Sequence, residues 1–359
     1  MPEAAARAPR DLSPDFSAAL LGWWQPGARA VAWRTGPAHA PDPYRVWLSE
    51  VMAQQTTVAA AGPRFLRFVR RWPTLAALAA ADEAEVLAEW AGLGYYARAR
   101  NLVRAARLAA AAGGLPRDES GLRALPGMGD YTAAAVAAIA HGAPVLPVDA
   151  NVARVGARLL ARDLPRAALR AALEPLVPAA DPGGFAQALM DLGATLCTVR
   201  APRCGACPVR AWCAAAATGA PERWPTPRPR VPKPLRQGVA WWLEHDGHVL
   251  LVRRPARGLL GGMEALPSGE WHSGPARPPA DEGAPVAADW QLLATPVTHV
   301  FTHFRLRLWV ACARVEHRPA LAGRWAPAAQ AHAGLPTLFA NAIAAVRRAR
   351  AAPGRAAAA

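Results

Sequence analysis

Lysine is almost missing from this chain: Lys233 is the only one among 359 residues. No side-chain amine is available before it, which excludes covalent catalysis through an imine over most of the sequence. Cysteine is scarce as well, with five residues, four of them crowded between Cys197 and Cys213. That distribution does not suit a secreted disulfide framework. No stretch approaches the roughly eighteen uninterrupted apolar residues of a spanning helix, because Arg or Gly breaks each alanine-rich run. Met1 to Trp24 carries Glu3, Asp11 and Asp15 and has no apolar core of the signal-peptide type. A soluble, cytoplasmic protein without a membrane partner is expected. Acidic residues are in the minority, 26 against 41 basic ones, for a net charge of +15. Charge of that size points to a polyanionic partner, DNA or RNA first, although a general Ala/Arg bias would also produce it.

What is present suggests two domains, from the length alone. The apolar fraction is 53%, but much of it is alanine, so the fourteen tryptophans must supply core bulk. From Tyr44 to about Arg162 the pattern is helical, broken at Gly62-Pro63, Trp72-Pro73, Gly113-Gly114, Pro126-Gly127 and Ala143-Pro144. Residues 221–236 (PERWPTPRPRVPKPLR) read as an extended, basic, Pro-rich linker. Beyond it the texture changes. Val239 to Val252 and Val297 to Val315 read as strands, the second alternating at Leu306, Leu308, Val310 and Cys312, and a last helix is expected from Leu338 to Arg350. Cys312 belongs to the apolar side of its strand and reads as core.

Four features carry chemistry. Cys197, Cys204, Cys207 and Cys213 have the spacing C-x6-C-x2-C-x5-C, too tight for two sensible disulfides. Such thiolates converge on a metal: zinc, or a [4Fe–4S] cluster, which takes four of them. Leu125-Pro-Gly-Met-Gly-Asp130, followed by the helical run Tyr131 to Ala140, reads as a helix–hairpin–helix. Gly127 and Gly129 there would let backbone N–H groups approach a phosphate; an ordinary interhelical turn would look the same. Glu50 is embedded among Trp47, Leu48, Val51 and Met52. On a solvated strip it is unremarkable chemistry; if buried, it stays protonated and can serve as an acid. Asp149 opens the helix that runs to Leu160, as an N-cap or as an anion facing a developing cation.

Taken together, VWLSEVMAQQT (46–56), WAGLGYYARARNL (90–102), LPGMGDYTAAAV (125–136), VDANVARV (148–155) and MDLGATLC (190–197) appear in order, followed by the four-cysteine loop. This series resembles the helix–hairpin–helix glycosylases, and within them the MutY-type adenine DNA glycosylases, over roughly residues 15–345. The resemblance implies that Glu50 protonates adenine at N7 and Asp149 stabilises the sugar cation. It implies that Tyr131 and Asn151 order the site, that Gln55 lies close to DNA and that Tyr95 wedges into the base stack. It further implies a [4Fe–4S] cluster on the four cysteines. Strand-cleaving relatives carry a lysine where this chain has Tyr131, so the enzyme is expected to be monofunctional.

From Gly238 to Leu338 the chain resembles the Nudix-like C-terminal domain of the same family. The stretch after Gly261-Gly262 lacks the glutamate cluster of a working Nudix hydrolase. The resemblance gives this domain the recognition of 8-oxoguanine opposite adenine, through Thr302 and His303. Three positions depart from the family pattern: Ala53 for leucine, Ala150 for glycine and Thr302 for serine.

The expected fold is therefore multi-domain. An all-α helix–hairpin–helix glycosylase domain with an iron–sulfur loop (15–220, the loop at 197–213) precedes the linker at 221–236. A smaller α+β Nudix-like domain (237–350) and a disordered tail (351–359) follow. The expected partner is double-stranded DNA with an A:8-oxoguanine or A:G mispair, bound by a monomer, with downstream repair proteins unspecified.

Overall fold

The computed structural model describes residues 14–34, 41–227, 229, 231–255, 258–274 and 276–351. Two compact units are defined by their internal contacts: Met1–Glu83 with Ala97–Pro229, and Ala84–Tyr96 with Arg230–Ala359. Among the described residues, no helix is long and apolar enough to cross a membrane.

The first unit is helical. At its centre runs Pro43–Ala53, whose start is fixed by the Asp42 side chain accepting from the Tyr44 N–H at 2.9 Å, with Pro43 in the first turn. Every residue from Val46 to Met52 on it is buried, so it is a core helix and not an amphipathic surface one. Glu50 is thereby carried into the interior. At the other end of this helix, the Arg98 guanidinium caps the carbonyls of Val51 and Met52 at 2.8 and 3.2 Å.

Asp130–His141 packs against it, entered through Gly129 and closed by Gly142 in the left-handed region at φ 67°. Ala150–Leu160 follows, and Pro182–Thr195 lies against both. The last contact needs a glycine: a Cβ on Gly193 would sit 2.6 Å from the Cβ of Asn151. A cluster of Phe16, Leu20, Val152, Val155, Leu159, Phe185, Leu189 and Leu192 forms the core here. It includes the helix Pro14–Gly27, which the sequence pattern did not suggest.

Of the five expected helix breaks, Gly62-Pro63 is not one: Val58–Arg71 runs through it. Pro63 deprives the Ala59 carbonyl of its partner, but both residues are exposed, so water can take its place.

In the second unit the sheet comprises β1 (Leu235–His245), β2 (His248–Arg253), β3 (Glu264–Ala265), β4 (His272–Ser273), β5 (Gln291–Leu292), β6 (Val297–Val300), β7 (Arg305–Arg314) and β8 (Arg324–Pro327). The main path is β3-β2-β1-β7-β5. Its spine is a parallel pairing of β1 with β7, from Leu235 opposite Arg305 to Glu244 opposite Arg314.

Each expected strand is in fact two. Val239 to Val252 turns at Asp246-Gly247, both at positive φ (44° and 70°), and Val297 to Val315 turns at residues 301–304. Alternation then sorts the side chains. Ala240, Trp242, Leu306, Leu308 and Val310 face the helix Thr337–Ala351 through its Leu338, Phe339, Ala342 and Ile343. Val239, Trp241 and Leu243 pack on the other face with Trp290. Cys312 packs against the first cluster. That helix still includes Ala351; the rest of the expected tail, 352–359, lies outside the described residues.

Candidate active site

Burial decides the character of Glu50. With 8% of its surface exposed, and facing Asp149, its carboxyl is pushed up to about 7, against the lowering effect of one hydrogen bond. That bond comes from Tyr131, whose hydroxyl donates to Glu50 Oε2 at 2.7 Å. Tyr131 is held well above its usual range by burial and by the two carboxylates, so it stays a donor.

Asp149 is the N-cap of Ala150–Leu160. Its Oδ1 accepts from the Val152 N–H at 2.6 Å, and its Oδ2 from the Asn151 amide at 2.8 Å. The positive end of the helix thus meets this carboxylate. The structural reading of Asp149 as a cap is correct, and it leaves the carboxylate on the wall of the same cavity as Glu50.

That cavity measures about 1170 Å³ and also exposes Tyr131, Asn151, Gln55, Gly127 and Gly129. The two hairpin glycines differ. Gly127 has φ 79°, and a Cβ there would stand 2.8 Å from Asn101 Cβ; Gly129 has open space around it and serves as a helix cap.

The same cavity is lined by a network that sequence reasoning missed. Asp191 is 1% exposed and accepts from Trp24 Nε1 at 2.9 Å, Arg29 Nε at 2.6 Å and Arg34 at 2.8 Å. Burial works to raise its pKa, but Arg34, Trp24 and Arg29 outweigh that and hold it below the usual range. Arg34 also donates to Gln187 Oε1 at 2.9 Å. The only signal for this network was Asp191 itself, inside MDLGATLC; its partners lie more than 150 residues upstream.

Behind the Asp149 helix, Cys197, Cys204, Cys207 and Cys213 are four half-buried free thiols. Burial and the neighbouring thiols push Cys207 up to about 11 and raise Cys213 in the same sense. Among the described residues no three His, Cys, Asp or Glu side chains are gathered as a single metal ion requires. Four thiol groups within seventeen residues are the donor set that a zinc ion or an iron–sulfur cluster takes.

Arg154 links this loop to the cavity: it donates to the Cys197 carbonyl at 2.8 Å, to the Gly193 carbonyl at 2.7 Å and to Asn151 Oδ1 at 2.9 Å.

In the second unit, Thr302 and His303 are exposed at the β6–β7 turn, closed by the Phe301 N–H to the Phe304 carbonyl at 2.9 Å. Trp271 stacks on Phe301 at 5.7 Å between ring centroids, and Phe304 completes the support. Lys233, the lone lysine, donates to the Phe301 carbonyl at 2.8 Å. The Tyr95 hydroxyl, in the same unit, is 2.6 Å from Thr302 Oγ1.

Residues 48–178 match the HhH-GPD superfamily of base excision DNA repair proteins, and residues 238–345 match the NUDIX domain. The class is therefore a helix–hairpin–helix repair protein carrying a Nudix-type domain. The adenine DNA glycosylase of Mycobacterium tuberculosis is 40% identical over 238 residues, covering 64% of this chain and 75% of that protein. The human adenine DNA glycosylase is 36% identical over 314 residues, covering 71% of this chain and 58% of its own length. The chain belongs to the adenine DNA glycosylases. It spans 46% of the Arabidopsis thaliana relative, so it covers only about half the length of some family members. Among solved structures, a thermostable thymine-DNA glycosylase is similar with a TM-score of 0.52 and 28% identity, over 56% of this chain and 95% of that one.

Proposed function

We propose that this chain removes adenine mispaired with 8-oxoguanine or guanine in double-stranded DNA, by hydrolysis of the N-glycosidic bond. The observation that carries this reading is the buried Glu50, proton-bearing near neutral pH and bonded to Tyr131, in one cavity with Asp149. The target base leaves the duplex at a cost of a few kcal/mol, least at a mispair. Glu50 gives its proton to the adenine at N7. The bond from the sugar to N9 then breaks, with its electron pair going to the base. Asp149 faces the resulting oxocarbenium-like sugar, and water adds to it, returning a proton to the carboxylate pair and leaving an abasic site.

Asn151 and Tyr131 hold the two carboxylates in place, and Gln55, Tyr95, Gly127 and Gly129 meet the DNA. No lysine stands in the helical unit, which favours a monofunctional enzyme. Thr302 and His303 read the 8-oxoguanine. The four cysteines would hold a [4Fe–4S] cluster, which closes the loop and supplies a one-electron redox group; no hydrolytic step involves it.

The test is to incubate purified protein with duplexes bearing A opposite 8-oxoguanine, G, C or T, then cleave abasic sites with alkali. Cleavage at A opposite 8-oxoguanine and G is expected, with little opposite T. Cleavage independent of the opposing base, or none at adenine, would overturn the reading.

A further inference from the structure

Arg158 has no place in the hydrolysis, yet it is 2% exposed, one of the most deeply buried charged side chains in the molecule. It reaches from the helix Ala150–Leu160 under the cysteine loop. Its Nε donates to the Trp224 carbonyl at 2.9 Å. One terminal nitrogen donates to the Thr198 carbonyl at 2.7 Å and lies 3.3 Å from Cys197 Sγ; the other donates to the Val199 carbonyl at 3.2 Å. Its own carbonyl is 3.4 Å from Cys213 Sγ.

Among the described residues, no Asp or Glu pairs with this guanidinium. Carbonyl dipoles satisfy its N–H groups but do not offset a buried unit charge, and an unpaired buried cation is strongly unfavourable. The group in contact that can carry a full negative charge is the Cys197 sulfur, and it does so when it ligates iron.

We infer that Arg158 is a positioning residue of the cluster: its charge, delivered at Cys197 Sγ, raises the cluster's reduction potential and holds the loop closed around it. This rests on the reading of the four cysteines as cluster ligands. A cation at a ligand sulfur stabilises whichever state holds more electrons, so its removal makes the cluster easier to oxidise. Arg154, one turn earlier, bonds the Cys197 carbonyl and not its sulfur, so the two arginines divide the loop between them.

The experiment uses the full chain with Arg158→Gln and Arg158→Lys, reading iron per chain, visible absorption and the potential by protein-film voltammetry. Parent protein without iron would end the cluster reading itself, and this inference with it. With iron in the parent, Arg158→Gln is expected to shift the oxidised-to-reduced ratio at fixed applied potential about tenfold toward oxidised, equivalent to about 59 mV downward for one electron. Arg158→Lys, which keeps the charge but offers a single nitrogen, should stay nearer the parent potential while losing iron faster to a chelator. An iron-loaded Arg158→Gln protein at the parent potential would overturn the inference and leave the cluster reading intact. If that variant does not fold, parent protein labelled with ¹⁵N-arginine decides. Brought to a paramagnetic state by a one-electron chemical oxidant or reductant, the cluster should show hyperfine coupling to an arginine side-chain nitrogen, and absence of coupling would overturn the inference.

Discussion

The two ends of this chemistry are built in opposite ways. In the helical unit the proposed acid is hidden: Glu50 is 8% exposed and hydrogen-bonded to Tyr131. In the sheet unit Thr302 and His303 stand in solvent on a four-residue turn, supported from beneath by Trp271, Phe301 and Phe304. On the proposed reading, the difference follows from the two tasks. A proton donor with an ordinary carboxyl pKa would be ionised at neutral pH, and only burial and a like charge push it up to about 7. A residue that reads a base edge needs only a fixed backbone and hydrogen-bonding atoms at the surface. Substitutions in the first place should therefore abolish the reaction, and substitutions in the second should change only its selectivity.

The largest effect is expected from Glu50→Gln. The amide keeps the shape but has no proton to give, so single-turnover adenine release should fall by at least about a thousandfold while duplex affinity changes only a few-fold. Release at a tenth of the parent rate would remove Glu50 from its role. Asp149→Asn should follow closely, down about a hundredfold or more, because it removes the charge facing the sugar cation but keeps the cap acceptor for Val152. A normal rate in that variant would reduce Asp149 to its cap.

At the turn, the double substitution Thr302→Ala, His303→Ala should leave release opposite guanine near parent levels. The preference for 8-oxoguanine should drop about ten- to a hundredfold, as expected for about 1–3 kcal/mol of lost base contacts. An equal fall opposite both bases would mean that the turn serves binding in general. Thr302→Ser, which keeps the hydroxyl, should be near neutral.

Most of the first region was legible in the sequence because its residues announce local structure. Asp149 precedes a helical run, Asp42 precedes Pro43, and the four cysteines sit within seventeen residues of one another. What stayed hidden was closed by the fold. Asp191 meets Trp24, Arg29 and Arg34 across more than 150 residues, and nothing in either segment names the other. Nothing in the sequence singles out Arg154 and Arg158, which meet the cysteine loop only in the folded chain. In the sheet unit the alternation at Leu306, Leu308 and Val310 marked the core face. The turns at Asp246-Gly247 and 301–304 fall inside the two expected strands, although Asp-Gly is itself a hairpin dipeptide. The Gly62-Pro63 break failed because a proline on an exposed helix face has water to replace the lost bond.

Burial of Glu50 also has a consequence for stability that separates it from the exposed turn. Its carboxyl is raised in the folded chain, so the folded state binds the extra proton between the usual carboxylate range and about pH 7. Stability from this group is complete below that window and lost as pH rises through 7. Glu50→Gln should therefore stabilise the protein at pH 8, by on the order of 3 kcal/mol at most, and much less at pH 5. Thermal unfolding at the two pH values checks this.

The claim that burial makes Glu50 the acid is tested most directly by the pH dependence of single-turnover adenine release, in the parent and in Tyr131→Phe. The parent rate should be level below about pH 7 and fall about tenfold per unit above it. Loss of the Tyr131 hydroxyl removes the one hydrogen bond that lowers the Glu50 pKa, so the inflection in Tyr131→Phe should move to higher pH. A parent inflection in the ordinary carboxylate range near 4.5, or none at all, would contradict the account.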